Sequence, residues 1–325
     1  MDAFEIRRKI LKKLAKENVI VFLPEDKITL KISRTLNFTY MLVFNDNIKY
    51  IVHEAQDDYS IRDEEKIVTM DPEAALKKVI NGKKALSTNS SNLKNIKVEL
   101  ILLDSIFRKP YDDEIQTIKE GATLLDRALE ESMNNIKIGM KEYEIKAELD
   151  YAIMKMGFEY FVYPTVVLTG DRTSIPLGKT TNRRLENGDI IQIDVSPSYR
   201  GYELSLARVI FTEIDESTKA LWKNYNKVFE FVSSYLKPGT NCNTIDSVVR
   251  NFIHELGFTY PHYTGYPLGG FTSPNIFPGS KDELERNSIF IFSPGLYIKG
   301  KLGFRIKRMI RIKDDYFETF DKFGE

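Results

Sequence analysis

Apolar positions along the chain alternate between two periods, and the alternation divides the sequence into two unlike regions. From Phe4 to Ala15 the residues Phe4, Ile6, Ile10, Leu11 and Leu14 fall at mostly helical spacing. The continuous run Val19-Ile-Val-Phe-Leu23, closed by Pro24, reads as a short buried strand. Thr39–Phe44 and Ile48–His53 flank Asn45-Asp46-Asn47, which predicts a hairpin with an Asx-rich turn. Pro72–Ile80 reads as a helix and Val98–Leu103 as another strand. Together these predict a small α/β domain over residues 1–107. It has no glycine-rich loop between a strand and a helix, so a dinucleotide or P-loop site is not expected.

A different rhythm begins at Arg108-Lys109-Pro110. Pro110 suits a helix start, and Asp112, Asp113 and Glu114 favour the positive end of the helix dipole. Ile115, Ile118, Ala122, Leu125 and Leu129 then form one apolar stripe, which predicts a long helix to about Asn134. A second helix is expected from Lys141 to Met156, capped at Gly157, followed by the strand Tyr163–Gly170 and a loop containing Ile175–Lys179. The second half repeats the order. Ser217–Leu236 and Thr244–Leu256 read as helices, and Ile289–Leu296 and Phe304–Lys313 as strands. Two helices followed by strands, twice over, predict an internally duplicated α+β domain over residues 108–325.

Composition narrows the classes of function. The chain has 325 residues, 42% hydrophobic and 29% charged, with 47 Lys plus Arg balancing 47 Asp plus Glu. A net charge of zero gives no overall pull toward nucleic acid, and none is expected as a partner. The basic strand Arg305–Lys313 lacks interleaved aromatics and reads as solvated or pocket-facing. The single cysteine, Cys242, can form no internal disulfide and has no histidine near it in sequence, so a buried or incidental thiol is expected rather than a catalytic one. No charged-then-apolar leader and no apolar run near 18 residues is present, so a cytoplasmic location and no membrane partner are expected.

Candidate chemistry gathers in the second region. Leu185, Gly188, Asp189, Asp194, Gly201, Tyr202 and Arg208 stand in the frame of a metal-binding hairpin. Further anchors follow in order: Ile138–Glu142, Tyr163-Pro164, Thr169-Gly170, Gly265, Gly269, Pro294–Tyr297 and Gly303–Arg305. On these residues the chain from about Lys109 onward resembles the pita-bread metallopeptidases, the group that contains prolidase, aminopeptidase P, methionine aminopeptidase and creatinase. With its small leading domain it looks most like a Xaa-Pro dipeptidase. The resemblance implies a pita-bread fold and, in that group, two divalent ions held by two Asp, one His and two Glu.

Carried over position by position, the ligand set is largely replaced. Asp194 stands where the resemblance places the first aspartate, but Ser205 stands at the second. Tyr266 takes the histidine's place, and Ser293 and Lys307 those of the two glutamates. The substrate-side histidines correspond to Leu177 and Ser273. Only His53, His254 and His262 occur in the chain, and a lone His262 near the old pocket reads as a hydrogen-bonded structural residue or a cleft residue. Such a hydrolysis needs a metal to lower the pKa of water from 15.7 to about 7. One carboxylate and two serines carry too little negative charge to hold two divalent ions.

Lys307 suggests a substitute. Its ammonium is expected to pair with Asp194, with Ser205, Tyr266 and Ser293 completing a hydrogen-bonded plug. The alternative is that Lys307 reaches solvent and Asp194 bonds hydroxyls or water. A serine nucleophile would need a positioned base, for which only His262 is in view. The function expected from the sequence is therefore a catalytically inactive prolidase-like protein. It would hold a peptide or protein segment in the remaining cleft, with Tyr202, His262 and Arg305 as candidate cleft residues and no cofactor. The alternative is a Xaa-Pro dipeptidase or aminopeptidase with an altered site holding two Mn or Co ions. A homodimer is expected by the same resemblance.

Overall fold

The computed structural model describes residues 2–26, 28–33, 35–58, 60–88, 93 and 96–322. The chain divides into two compact units, Met1–Asp113 and Glu114–Glu325. In the first unit, helix α1 (Ala3–Ala15) is capped by Asp2, whose carboxylate accepts from Glu5 N at 2.9 Å. Strand β1 (Val19–Phe22), the short helix α2 (Leu30–Ser33), the hairpin β2 (Tyr40–Phe44) and β3 (Asn47–His53), and β4 (Lys66–Thr69) follow. Helix α3 (Pro72–Ile80), β5 (Ala85–Ser87) and β6 (Val98–Leu100) complete it. The sheet runs β4-β3-β2-β1-β5-β6. Asn45 and Asp46 both adopt positive φ at the hairpin turn, a conformation Asx residues tolerate. β1 is buried at every position because Val19 and Val21 pack into one core while Ile20 and Phe22 pack into another.

The second unit opens with α4 (Asp112–Met133), α5 (Glu142–Lys155) and strand β7 (Tyr160–Thr169). β7 leads through the turn Gly170–Ser174 to β8 (Ile190–Tyr199), β9 (Tyr202–Glu203) and β10 (Leu206–Phe211). The pattern then recurs with α6 (Glu216–Ser233), α7 (Cys242–Glu255), β11 (Gly265–Pro267) and β12 (Ile289–Phe292). It ends with the β13 (Gly295–Ile298) and β14 (Leu302–Arg305) hairpin, β15 (Arg308–Ile312) and β16 (Phe317–Thr319). β10-β8-β7 form one sheet and β11-β12-β15-β16 another. A bridge between Ala207 and Lys307, with Lys307 N donating to Ala207 O at 3.1 Å, joins the two half-sheets at a seam. The duplication read from the sequence is thus visible as two α-α-β modules that meet edge to edge.

Alternation along the strands sorts the two cores. Ile289 and Ile291 of β12 face the layer containing Leu125 and Ile145, while Phe290 and Phe292 face that containing Val228 and Val249. Cys242 lies fully buried in the second core, as expected of a structural thiol. The two long C-terminal strands expected from the sequence are each broken. Pro294 has no N–H for a ladder, and Ser293 N turns to Thr264 O at 2.7 Å, which ends β12 at Phe292. Likewise Ile306 N donates to the buried Tyr225 hydroxyl at 3.2 Å, separating β14 from β15. Val98–Leu103 also shortens, with the strand ending at Leu100.

One buried carboxylate shapes the wall beside β7. Glu142, fully buried at the start of α5, accepts from Thr169 N at 2.9 Å and Thr169 Oγ1 at 3.1 Å. It also accepts from Thr181 N at 2.7 Å, Thr181 Oγ1 at 2.8 Å and Arg172 Nε at 3.1 Å. The loop 175–180 is therefore held between anchored ends. Gly303 lets β14 pass closely over the Gly170–Ser174 turn: a Cβ there would meet Thr173 O at 2.2 Å.

Candidate functional site

The period-two alternation of β8 builds the site. Ile191, Ile193 and Val195 enter the core under α4 and α5, so Gln192, Asp194 and Ser196 face the opposite side, where they line a cavity of about 740 Å³. The seam brings Lys307 to the same place. Its Nζ donates to Asp194 Oδ1 at 2.5 Å and to Ser205 Oγ at 3.1 Å, and lies 5.9 Å from the Tyr266 ring centre. Tyr266 also donates to Ser205 Oγ, at 3.3 Å. With two donors already on Ser205 Oγ, its own hydrogen is directed to Ser196 Oγ, 2.9 Å away.

Arg305 approaches the other carboxylate oxygen, its Nη1 standing 3.4 Å from Asp194 Oδ2, and its Nε donates to Ser293 Oγ at 3.2 Å. Gln192 fixes the Arg305 backbone from both sides: its Oε1 accepts from Arg305 N and its Nε2 donates to Arg305 O, both at 2.9 Å. Burial opposes the Arg305 charge most strongly, but the facing Asp194 carboxylate and the surrounding Tyr297, Tyr266 and Tyr225 together outweigh it and hold the guanidinium above its usual pKa. The structure thus joins all five positions expected at the centre, Asp194, Ser205, Tyr266, Ser293 and Lys307, into one network. Lys307 points inward, with its side chain only 6% exposed, and does not run to solvent.

The remaining expected residues fall differently. Leu177 lines the cavity at its mouth and is 79% exposed. His262 lies behind Tyr297, with Nε2 2.9 Å from the Tyr297 hydroxyl and Nδ1 3.1 Å from Tyr263 O. Burial, reinforced by Arg305, pushes its pKa down to about 4. Gly295 leaves room for this pair, since a Cβ there would come within 2.7 Å of both rings. One expectation needs correction. Tyr202 does not reach the cavity: its hydroxyl donates to Glu114 at 2.9 Å and its ring stacks on Phe271, which packs in the core. Ser273 is buried, on the segment that returns to pair Ile276 with Gly265.

Residues that the motif reading passed over complete the wall. Gln192 and Ser196 share the face of Asp194, a placement that strand alternation in the sequence already indicates. Thr165, 2% exposed on β7, also lines the cavity, and its Oγ1 has no partner. The basic strand is largely paired within the sheet: Arg311 Nη1 lies 3.1 Å from Glu318 and Arg308 Nη1 3.6 Å from Asp321.

The donor set does not fit a pair of divalent ions. Among the described residues no group of three or more His, Cys, Asp or Glu side chains is placed to hold a metal. The one carboxylate at the centre is already bound by an ammonium, whose charge would repel a cation at contact distance.

Residues 116–316 match the model of metallopeptidase family M24, and the chain belongs to that family. It is 30% identical over 221 residues to an uncharacterized peptidase of Methanocaldococcus jannaschii, a match covering 65% of this chain and 62% of that relative's length. Among solved structures it resembles the X-Pro aminopeptidase of Thermotoga maritima, with a TM-score of 0.83, 25% identity and 97% of both chains covered. It also resembles the prolidase of Thermococcus sibiricus, with a TM-score of 0.87 and 19% identity, covering 100% of this chain and 98% of the other, a likeness of fold. The pita-bread fold expected of the second unit is thereby established, and the likeness to these structures also takes in the small leading unit.

Proposed function

We propose that this chain is a non-hydrolytic member of the M24 family that holds an extended peptide or protein segment in the cavity beside Asp194. The observation that carries this reading is the Lys307 ammonium 2.5 Å from the Asp194 carboxylate. Amide hydrolysis of the metal-assisted kind needs a cation to bring the pKa of water from 15.7 to about 7, and an ammonium supplies no open coordination position for that water. A serine route is equally unsupported. Ser205 accepts from Lys307 and Tyr266, so the group beside it is a proton donor and not a base.

What favours binding is that the cavity persists although its polar floor is plugged. At about 740 Å³ it falls in the range of small-ligand pockets, and Tyr163, Pro164, Ile175 and Leu177 give it an apolar wall. The names of the related structures, X-Pro aminopeptidase and prolidase, supply peptides as the class of ligand. The test is a titration with Mn²⁺ and Co²⁺ followed by calorimetry, alongside an assay on Xaa-Pro dipeptides and a binding screen with longer peptides. The expected result is peptide binding without turnover and without stoichiometric metal at Asp194. Two bound ions together with turnover overturn the reading.

A further inference from the structure

The geometry points to a carboxylate of the bound peptide as the group the centre recognises, an inference that rests on the peptide-binding reading above. Among the residues lining the cavity, the charged groups are Lys146, Lys179, Arg305 and Lys307 against Asp194. Lys146 is neutralised by Asp150, and Lys307 by Asp194. Arg305 is not neutralised to the same degree. Its contact with Asp194 at 3.4 Å is beyond a well-formed hydrogen bond, its Nε is held by Ser293, and its other guanidinium N–H groups have no acceptor among the described residues. A guanidinium that is 15% exposed, with donors unfilled beside a cavity, favours an anionic acceptor, and a planar carboxylate matches its fork.

A second observation is independent of charge. The Thr165 hydroxyl, in the wall of the same cavity and 2% exposed, has no hydrogen-bond partner among the described residues, an unspent donor that a small side-chain movement would turn toward a bound carboxylate. The space also allows the ligand to continue. A neighbouring cavity of about 810 Å³ shares Ile175, Pro176 and Tyr297 with the first, so a chain seated at Arg305 can run past these residues toward Lys299. The two cations that occupy the floor therefore serve as an anion-recognition element, Lys307 cancelling Asp194 so that Arg305 faces the ligand with net positive charge.

The experiment compares matched heptapeptides by fluorescence anisotropy. One carries a central Glu with both ends blocked, one a free C-terminus and no acidic side chain, and one is fully blocked with Gln in place of Glu. N-acetylglutamate and its amide are run in parallel by thermal shift. The blocked Gln peptide is expected to bind about tenfold more weakly than at least one carboxylate peptide, and which of the two binds identifies the source as side chain or C-terminus. Arg305→Gln should remove that preference, whereas Asp194→Asn should strengthen carboxylate binding severalfold because it deletes the competing anion. Equal binding of all three peptides overturns the carboxylate inference and leaves peptide binding intact. If no heptapeptide binds but N-acetylglutamate stabilises the protein and its amide does not, the anion site stands and the peptide reading falls. Weaker carboxylate binding by a folded Asp194→Asn protein also sinks the inference.

Discussion

Two carboxylates in the same unit, the fully buried Glu142 and the half-buried Asp194, are satisfied in opposite ways. Glu142 is enclosed by five donor groups from three chain segments and has no exposure to the cavity. Asp194 is 16% exposed at its side chain and depends on two cations, one at 2.5 Å and one at 3.4 Å. The first is a scaffold group whose surroundings are complete. The second is only partly enclosed, and its open side faces the cavity where the proposed ligand would act.

Breaking the enclosed carboxylate should have the largest effect. Glu142→Ala strands the Arg172 guanidinium and the Thr169 and Thr181 donors, and is expected to cost about 4 kcal/mol in urea unfolding. Lys307→Met should cost somewhat less, about 3 kcal/mol, because Asp194 keeps Arg305 and partial solvent access. The double variant Asp194→Asn with Lys307→Met sharpens the contrast. It removes both charges, so it should regain most of the single variant's loss, and a double as unstable as the single would show that Lys307 acts through packing alone.

A smaller effect should appear with pH. His262 is held neutral by a folded-state pKa near 4, below its ordinary 6.5. Its contribution is therefore complete above about pH 6.5 and is lost as pH falls toward 4, since the unfolded chain takes up the proton and the folded one resists it. Allowing for the ring's partial exposure, the loss is about 2 kcal/mol. Stability curves of the wild type and His262→Gln should differ in slope across that window and run parallel above it. Last, Thr165→Val should be neutral or stabilising by up to about 1 kcal/mol, because it removes a buried hydroxyl that has no partner. A clear destabilisation would mean that the hydroxyl already has a bond in the free protein.

Much of this contrast was legible in the sequence. The opposite charges of Asp194 and Lys307 occupy positions that the motif frame brings together, so their pairing could be anticipated. Gln192 and Ser196 followed from alternation along the same strand. The break after β12 was signalled by Pro294, whose missing donor outweighs the continuous apolar pattern of Ile289–Leu296, whereas the break between β14 and β15 depends on the distant Tyr225 hydroxyl. Other features had no local signature. The unsatisfied Thr165 arises at a register irregularity between Tyr163 and Val166 in β7, and Tyr202 turns away because Glu114, distant in sequence, offers an acceptor. Both depend on partners that no spacing rule supplies.

The seam between Ala207 and Lys307 has one more consequence. A divalent ion at such a centre exchanges with its surroundings, so its occupancy depends on supply and it is removed by chelators. Here the positive charge arrives on a strand already bonded to its neighbour, at fixed stoichiometry and with no dissociation equilibrium. The folding of this centre should therefore be indifferent to EDTA and to the availability of metal in its surroundings.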